Sequence, residues 1–241
     1  MVTPFLGEFL GTTTLIILGN GVVANSCLSK SKAEGAGWVN IIAGWAVAVV
    51  MGIFVAIACG AQGDLNPAVT FAKLLNGVYS VSDGILIMFL QIAGGTAGGC
   101  ITWLLFRGHW ELTEDKATKL AVFCTFPAVR NYAQNLFFEI IATVMLIFGV
   151  FSIFSKNVGS MTPGYGPFMV GLLIFGLGAS LGGPTGYAMN PARDLGPRIA
   201  HFICPIAGKG DSDWAYSWVP VVGPMIGGAI AFALAKGVGI L

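Results

Sequence analysis

The sequence predicts an all-α membrane protein with six membrane-spanning helices and two shorter helices that enter the bilayer without crossing it. Of the 241 residues 56% are hydrophobic and 10% are charged, whereas a soluble domain carries about 25% charged residues. The other two observations are six continuous apolar stretches and an internal repeat. We expect one membrane domain over residues 1–241, with inverted repeats over approximately residues 1–106 and 130–241.

The charge balance excludes several other classes of protein. Twelve Lys and Arg residues against eleven Asp and Glu residues leave a formal net charge of +1. That balance excludes a basic nucleic-acid-binding protein and an acidic tail. The 35 glycines have no Gly-X-Y period, so they indicate helices that pack closely within lipid rather than collagen.

The apolar stretches have the length of spanning helices, for which about 20 residues are needed. They lie at approximately 5–25, 39–59, 83–106, 133–154, 166–183 and 214–239. Their apolar residues are continuous and do not alternate with polar ones, which favours helices over barrel strands. The longest polar connection, 107–132, is too short to form a domain of its own.

The internal repeat is the most informative motif in the chain. One triplet occurs once in each half, as Asn66-Pro67-Ala68 and as Asn190-Pro191-Ala192. A glutamate followed by threonine four residues later precedes each triplet, as Glu8 with Thr12 and as Glu139 with Thr143. Three spans per half invert the second repeat relative to the first. The segments 66–77 and 190–203 are too short to span, so we predict re-entrant half-helices.

Each triplet predicts the beginning of a helix, because Asn is a preferred N-cap and Pro suits the first helical position. If the two half-helices enter from opposite faces, their positive ends meet near the bilayer centre. Capping uses the asparagine oxygen, so we expect the side-chain NH2 of Asn66 and Asn190 to donate into a lumen. A small uncharged solute would accept those bonds, and a cation or hydronium ion would be repelled.

Glu8 and Glu139 lie within predicted spans, where a carboxylate is costly unless it has partners. We expect both to support the structure by accepting hydrogen bonds from backbone N–H groups of the re-entrant loops. The alternative is that they relay protons, as carboxylates do in pumps.

Together these residues resemble the major intrinsic protein family, the aquaporins, and within it the aquaglyceroporin or glycerol uptake facilitator branch. The resemblance covers essentially the whole chain and is most specific over residues 186–197, where Arg193 is followed by Asp194. It implies an aquaporin-like right-handed bundle of six transmembrane helices and two half-helices. It also implies a homotetramer in the cell membrane with cytoplasmic termini, passing small neutral solutes and excluding ions and protons.

The resemblance further implies a selectivity constriction formed by Trp45, Gly178, Tyr187 and Arg193. Gly178 would leave room for a three-carbon polyol, because water-selective members have a bulky polar residue there. Trp45 and Tyr187 would form an aromatic corner for the carbon chain. Arg193 would donate to hydroxyl groups on the other side and repel cations.

Two positions depart from the family pattern. Asp64 stands where the family usually has histidine, in a loop that looks one residue longer, and we expect an acid at the inner pore mouth. It would alter hydrogen bonding and proton availability there. Tyr187 stands where phenylalanine is common, and its hydroxyl would narrow the pore and add a polar contact. Some members in fermenting bacteria pass undissociated lactic acid, which makes that acid a candidate solute here.

The loop charges conflict with the implied orientation. The family topology places seven cations outside, at Lys30, Lys32, Arg107, Lys116, Lys119, Arg130 and Lys209. Only Lys156 and Lys236 lie inside, which violates the positive-inside bias. We follow the family, because the paired re-entrant segments constrain the fold more than loop charges do. An interfacial belt of tryptophans is expected on the outer side, at Trp38, Trp103, Trp110, Trp214 and Trp218.

Other functions remain open at this point. A proton-coupled secondary transporter of a small organic acid could use Asp64, Glu8 or Glu139, since inverted repeats and broken helices occur in transporters too. A structural member with a nearly closed pore is a further alternative. We expect no enzyme and no cofactor, because no acid–base pair, nucleophile elbow or phosphate loop is present. The five cysteines and two histidines lack the spacing of metal ligands.

Overall fold

The computed structural model describes residues 3–241, and this part of the chain contains nine α-helices, one short 3₁₀ helix and no strand. The helices are α1 (Pro4–Cys27), α2 (Gly37–Ala58), α3 (Pro67–Leu75), α4 (Val81–Leu105), α5 (Lys116–Phe123), α6 (Tyr132–Ile153), α7 (Tyr165–Leu181), α8 (Pro191–Ile203) and α9 (Val219–Gly237). The 3₁₀ helix is Arg107–His109. The six predicted spans correspond to α1, α2, α4, α6, α7 and α9, and the predicted half-helices to α3 and α8.

Five of the six spans are long and apolar enough to cross a membrane, and α7, with 17 residues, is the shorter apolar one. The prediction extended the fifth span to residue 183, but α7 ends at Leu181, two residues before the Gly183-Pro184 pair. The sixth predicted span, 214–239, was too long at its start. Residues 214–218 form turns, and α9 begins at Val219 with Pro220 in its first turn, where proline is tolerated.

Helix α5 lies within the connection 107–132, which the apolar pattern of the sequence indicates only as a polar loop. Asp115 caps this helix, accepting from the backbone N–H of Ala117 at 3.2 Å and of Thr118 at 2.9 Å. Hydrogen bonds from the side chain and the backbone N–H of Thr118 lower the pKa of the Asp115 carboxyl group. Asp115 directly before a helix-forming stretch was the available signal.

The two repeats interlock through their half-helices. Within each repeat the first span packs against the third, α1 against α4 and α6 against α9. The half-helices cross over, because α3 packs extensively against α9 and α8 packs extensively against α4. Each half-helix is therefore enclosed partly by the third span of the other repeat.

Glycines make the contacts between first and third spans close. A Cβ atom built on Gly94 of α4 would lie 2.5 Å from the carbonyl oxygen of Phe9 in α1. In the second repeat a Cβ on Gly227 of α9 would lie 2.7 Å from the carbonyl oxygen of Ile140 in α6. Real Cβ atoms do not approach an oxygen atom so closely, so the helices can come this near only because these positions have no side chain.

Glycines also allow close contact between the half-helices and the spans. A Cβ on Gly95 of α4 would lie 2.5 Å from the carbonyl oxygen of Ala192 in α8. A Cβ on Gly228 of α9 would lie 2.7 Å from the carbonyl oxygen of Ala68 in α3. The alanine of each repeated triplet is completely buried against a glycine of the opposite repeat.

The predicted tryptophan belt is wrong at one position. Trp110 is only 1% exposed, and its indole N–H donates to the carbonyl oxygen of Trp103 at 2.9 Å. Trp214 and Trp218 are 38% and 42% exposed, as an interfacial position requires. Trp110 therefore belongs to the core beneath the long connection.

Several of the loop cations are held by the fold. The Lys209 ammonium group donates to the carbonyl oxygens of His201, Phe202 and Cys204 at 2.6–2.7 Å, which satisfies the C-terminal end of α8. Lys119 is 2% exposed and donates to a backbone carbonyl oxygen at 2.5 Å. Both lysines therefore have a structural role, unlike loop cations that are fully exposed to solvent.

Replacing Gly227 by valine tests the close approach of α9 to α6. We expect the apparent melting temperature in detergent to fall by about 5 °C or more, since overpacking costs about 1–3 kcal/mol. Gly176→Val is the matched control, because Gly176 is exposed on α7 and has open space around its missing Cβ atom. The melting temperatures of both variants are measured by heating samples and monitoring the aggregated fraction with size-exclusion chromatography. Equal melting temperatures for the two variants would contradict the proposed packing.

Candidate functional site

The two half-helices begin with matching asparagine caps. The Asn66 side-chain oxygen accepts from the backbone N–H of Ala68 at 2.9 Å. The Asn190 oxygen accepts from the backbone N–H groups of Ala192 at 2.9 Å and Arg193 at 3.2 Å. Pro67 and Pro191 occupy the first helical position after their caps, as expected.

The asparagine NH2 groups bridge the two repeats. Asn66 Nδ2 donates to the carbonyl oxygen of Met189 at 2.8 Å, and Asn190 Nδ2 donates to the carbonyl oxygen of Leu65 at 2.9 Å. The expectation that both NH2 groups are free is therefore wrong in part. Each NH2 group has two hydrogens, so one remains for another acceptor. Both asparagines line the cavity described below.

The residue before each asparagine has a left-handed backbone. Leu65 has φ of 54° and Met189 has φ of 48°, a conformation that costs energy for side chains of this size. Both are buried in the wall of the same cavity. The carbonyl oxygen of each accepts the bridging bond from the opposite repeat, so the strained turn supports the junction between the repeats.

Glu8 anchors the first re-entrant loop. Its two carboxylate oxygens accept from the backbone N–H groups of Asp64 at 2.9 Å and Leu65 at 2.8 Å. The buried Gln91 on α4 donates to the same carboxylate at 2.9 Å and to the Thr70 hydroxyl at 2.9 Å. The backbone bonds agree with the expectation from the sequence, whereas Gln91, a polar residue in an apolar span, is an additional partner that the sequence did not indicate.

Glu139 anchors the second re-entrant loop in the same way. It accepts from the backbone N–H groups of Ala188 at 3.0 Å and Met189 at 2.9 Å. The Thr185 hydroxyl donates to it at 2.6 Å. Glu139 has no exposed surface, so its oxygens satisfy backbone groups that no water reaches.

Asp64 lies in the lining of the cavity described below, and its carboxylate is held by three side chains. Its carboxylate accepts from the Thr70 hydroxyl at 2.9 Å and the Tyr79 hydroxyl at 2.7 Å, and it forms an ion pair with Lys73. The Asp64 side chain has no exposed surface, whereas that of Lys73 is 20% exposed. The partners were missed because the sequence gives no sign that Lys73 and Tyr79 turn back toward this loop.

A cavity of about 900 Å³ connects one face of the bundle with the asparagine bridge. Near the surface of the bundle, the cavity is lined by the connection between α6 and α7, including Lys156, and by the chain end at Leu241. Its lining also includes Trp45, Tyr187 and Arg193. Trp45 lies 13 residues before the end of α2, about 20 Å along the helix axis. The cavity therefore reaches deep into the bundle.

Arg193 and Trp45 contact each other, instead of facing each other across the opening as expected. The guanidinium carbon lies 3.9 Å from the centroid of the Trp45 ring, within the range of a cation–π interaction. Nη1 of Arg193 and the Tyr187 hydroxyl have no hydrogen-bond partner, although both atoms are buried. A buried donor without a partner is costly, so these groups are candidates to bind a passing solute.

Gly178 is not among the residues that line this cavity, but it contacts one that does, Tyr187. A Cβ atom at this position would lie 2.8 Å from Ile42 and 3.0 Å from both Cζ and Oη of Tyr187. The room left by the glycine is therefore filled by the Tyr187 ring of the same chain. Gly178 can influence the opening only through the position of that ring.

Asp194 was noted in the sequence only as part of the family motif, and Arg198 was not singled out; the structure shows that the two side chains act together. Both side chains are fully buried, and they form an ion pair with N···O of 2.8 Å. Asp194 also accepts from the backbone N–H of Thr125 at 2.8 Å and from its hydroxyl at 2.7 Å. This pair ties α8 to the connection after α5, and its spacing of four residues was the available signal.

Replacing Glu139 by glutamine tests the anchoring of the second loop. One side-chain oxygen would become an NH2 group facing a backbone N–H, so we expect a loss of about 1–3 kcal/mol in stability. The melting temperature in detergent and the yield of folded protein should both fall. Glu111→Gln is the control, because Glu111 is exposed in a loop. Unchanged stability of the Glu139 variant would contradict the anchoring role.

Comparisons with known proteins agree with this geometry. The chain is 51% identical over 234 residues to glycerol uptake facilitator protein 3 of Lactiplantibacillus plantarum, covering 97% of this chain and 96% of that one. It is 41% identical over 235 residues to the D/L-lactic acid transporter of the same organism, covering 96% and 95%. The X-ray structure of the aquaglyceroporin from Plasmodium falciparum matches with a TM-score of 0.84 and 27% identity, covering 97% and 95%. The model of the major intrinsic protein family matches residues 1–234, and the chain belongs to that family.

Proposed function

We propose that this protein is a passive membrane channel for small uncharged solutes, with glycerol and water among them. The observation that carries the proposal is the meeting of two asparagine-capped half-helices in the wall of a deep cavity. Relatives named as glycerol uptake facilitators support glycerol as a solute. No covalent chemistry and no cofactor take part.

Stopped-flow light scattering of proteoliposomes tests this proposal. Vesicles with the protein should equilibrate glycerol at least about tenfold faster than empty vesicles, which corresponds to about 1.4 kcal/mol of barrier. The net flux should follow the glycerol gradient and stop when that gradient is gone. Uphill accumulation driven by a pH gradient would instead support the proton-coupled transporter.

The geometry favours the channel over a transporter. A proton carrier needs a carboxylate that can lose its partners in turn, but the oxygens of Glu8 and Glu139 hold backbone N–H groups. The carboxylate of Asp64 is held by three side chains, including the ion pair with Lys73. Protonating any of them would remove a bond on which the re-entrant loops depend.

Two fixed features support the exclusion of ions and protons. The half-helix N-termini each contribute about half a positive charge near the asparagine bridge. Arg193 adds a full positive charge beside the cavity, held against Trp45. A cation that loses its water would meet both charges without a compensating anion.

Arg193→Val tests ion exclusion. A unit charge acts with about 3 kcal/mol at about 6 Å and an effective dielectric constant of 20, so proton conductance should rise by about a hundredfold. Arg193→Lys keeps the charge and should remain close to the wild type. Proton entry is measured with a pH-sensitive dye inside proteoliposomes. Equal conductance for wild type and Arg193→Val would reject Arg193 as the barrier.

Undissociated lactic acid is a second candidate solute, supported by the relative that is named as a lactic acid transporter. The Tyr187 hydroxyl and Nη1 of Arg193 lack partners at the constriction. A neutral hydroxy acid has both donors and acceptors, so it can satisfy these groups as a polyol does. The lactate anion would have to shed water without a counterion in a narrow passage.

The pH dependence of uptake tests this solute. Flux of lactic acid through the channel should fall about tenfold for each pH unit above the pKa of the acid, since only the neutral form permeates. Glycerol flux in the same vesicles should stay constant over that range and serves as the control. Lactate flux that is independent of pH would show that the anion passes and would contradict the proposal.

We further propose that the protein is a multi-pass protein of the cell membrane, assembled as a homotetramer with cytoplasmic termini. Large apolar side chains on the outside of the helices, such as Phe89 at 74% and Leu172 at 63% exposed, support contact with lipid or neighbouring subunits. Tetramer and orientation rest on the family resemblance. Native mass spectrometry tests the first, and cysteine labelling from either side of the membrane tests the second.

A further inference from the structure

Trp38 makes a contact that an interfacial tryptophan does not need. It is the second residue of α2 and is 43% exposed at the end of the bundle. Its indole N–H nevertheless donates to the carbonyl oxygen of Gly178 in α7 at 3.1 Å. This bond fixes the plane of the indole ring against α7.

The ring of Trp38 packs against Tyr187, a side chain that lines the cavity. Its centroid lies 5.9 Å from that of Tyr187, with an interplanar angle of 79°, an edge-to-face arrangement. A Cβ atom on Gly182 would lie 2.4 Å from Trp38 and 3.0 Å from Tyr187. The missing side chains of Gly178 and Gly182 thus form a slot at the C-terminal end of α7, and Trp38 closes this slot over the Tyr187 ring.

No hydrogen bond of its own holds the Tyr187 side chain in place, because its hydroxyl group has no partner. Its backbone is in the left-handed region, with φ of 42°. The position of the ring therefore depends on packing in the slot. Tyr187 lines the cavity, whereas Trp38, Gly178 and Gly182 do not, so Trp38 can act on a solute only through Tyr187.

We propose that Trp38 is a positioning residue that sets the size limit of the channel by holding Tyr187 against α7. This inference rests on the proposed channel function, and it adds a specificity determinant outside the constriction itself. Without the indole, the Tyr187 ring gains the space at the end of the bundle and moves away from Arg193. The opening then widens, and longer polyols pass.

Three variants separate packing from a general structural effect. Trp38→Ala removes the ring edge and the hydrogen bond to Gly178. Trp38→Phe keeps an aromatic edge against Tyr187 but cannot donate to the carbonyl oxygen. Trp218→Ala is the matched control, because Trp218 is 42% exposed beside the start of α9 and stacks on Tyr132, away from the cavity lining.

The measurement is the ratio of five-carbon polyol permeability to glycerol permeability in proteoliposomes, with water permeability recorded in parallel. For Trp38→Ala we expect this ratio to rise by roughly tenfold, and for Trp38→Phe and Trp218→Ala we expect it to stay within about twofold of wild type. A ratio for Trp38→Ala that is unchanged, lowered, or matched by Trp218→Ala would overturn the proposal.

A cryo-electron microscopy structure of Trp38→Ala gives an independent readout. A Tyr187 ring displaced from the slot supports the positioning role, and a ring in the wild-type position overturns it. If the wild-type protein passed no glycerol, the proposed function would fail. The displacement of Tyr187 would still decide the role of Trp38, so the two failures can be told apart.

Discussion

Backbone N–H groups at the middle of a membrane have no water to bind, and each one left without a partner costs several kcal/mol. The half-helices α3 and α8 begin in this region, so the first backbone N–H groups of both helices need partners. The side chains of Asn66 and Asn190 accept from N–H groups of the first helical turns, and those of Glu8 and Glu139 accept from N–H groups of the loop residues just before the asparagines. The rest of the architecture keeps these four side chains in place.

The interlocking of the repeats follows from this requirement. A half-helix cannot be stabilised by its own length, so it must be packed on several sides. The glycines at 95 and 228 allow each half-helix to approach the third span of the other repeat until backbone contacts backbone. The result is a rigid wall in which polar atoms keep fixed positions, and this rigidity is what a selective passage for neutral solutes requires.

Much of this architecture could be predicted from the sequence alone, because it depends on short motifs that occur once in each repeat. The duplicated Asn-Pro-Ala triplet predicts two helix starts, and intramembrane glutamates require partners. The contact between Gly178 and Tyr187 could not be predicted, since it depends on where a tyrosine nine residues away places its ring. The partners of Asp64 could not be predicted for a related reason. Its neutralisation by Lys73 depends on the direction in which a short helix leaves the loop, and one sequence does not determine that direction.

The bridge between the repeats has a consequence for biosynthesis. Asn66 donates to Met189, and Asn190 donates to Leu65, so neither bond can form until most of the polypeptide has left the ribosome. Until then, the first three spans lie in the bilayer, and the polar loop of this repeat lacks its partner from the second repeat. Insertion of the N-terminal half is therefore separate from completion of the pore, and a truncated chain would be a natural substrate for membrane quality control.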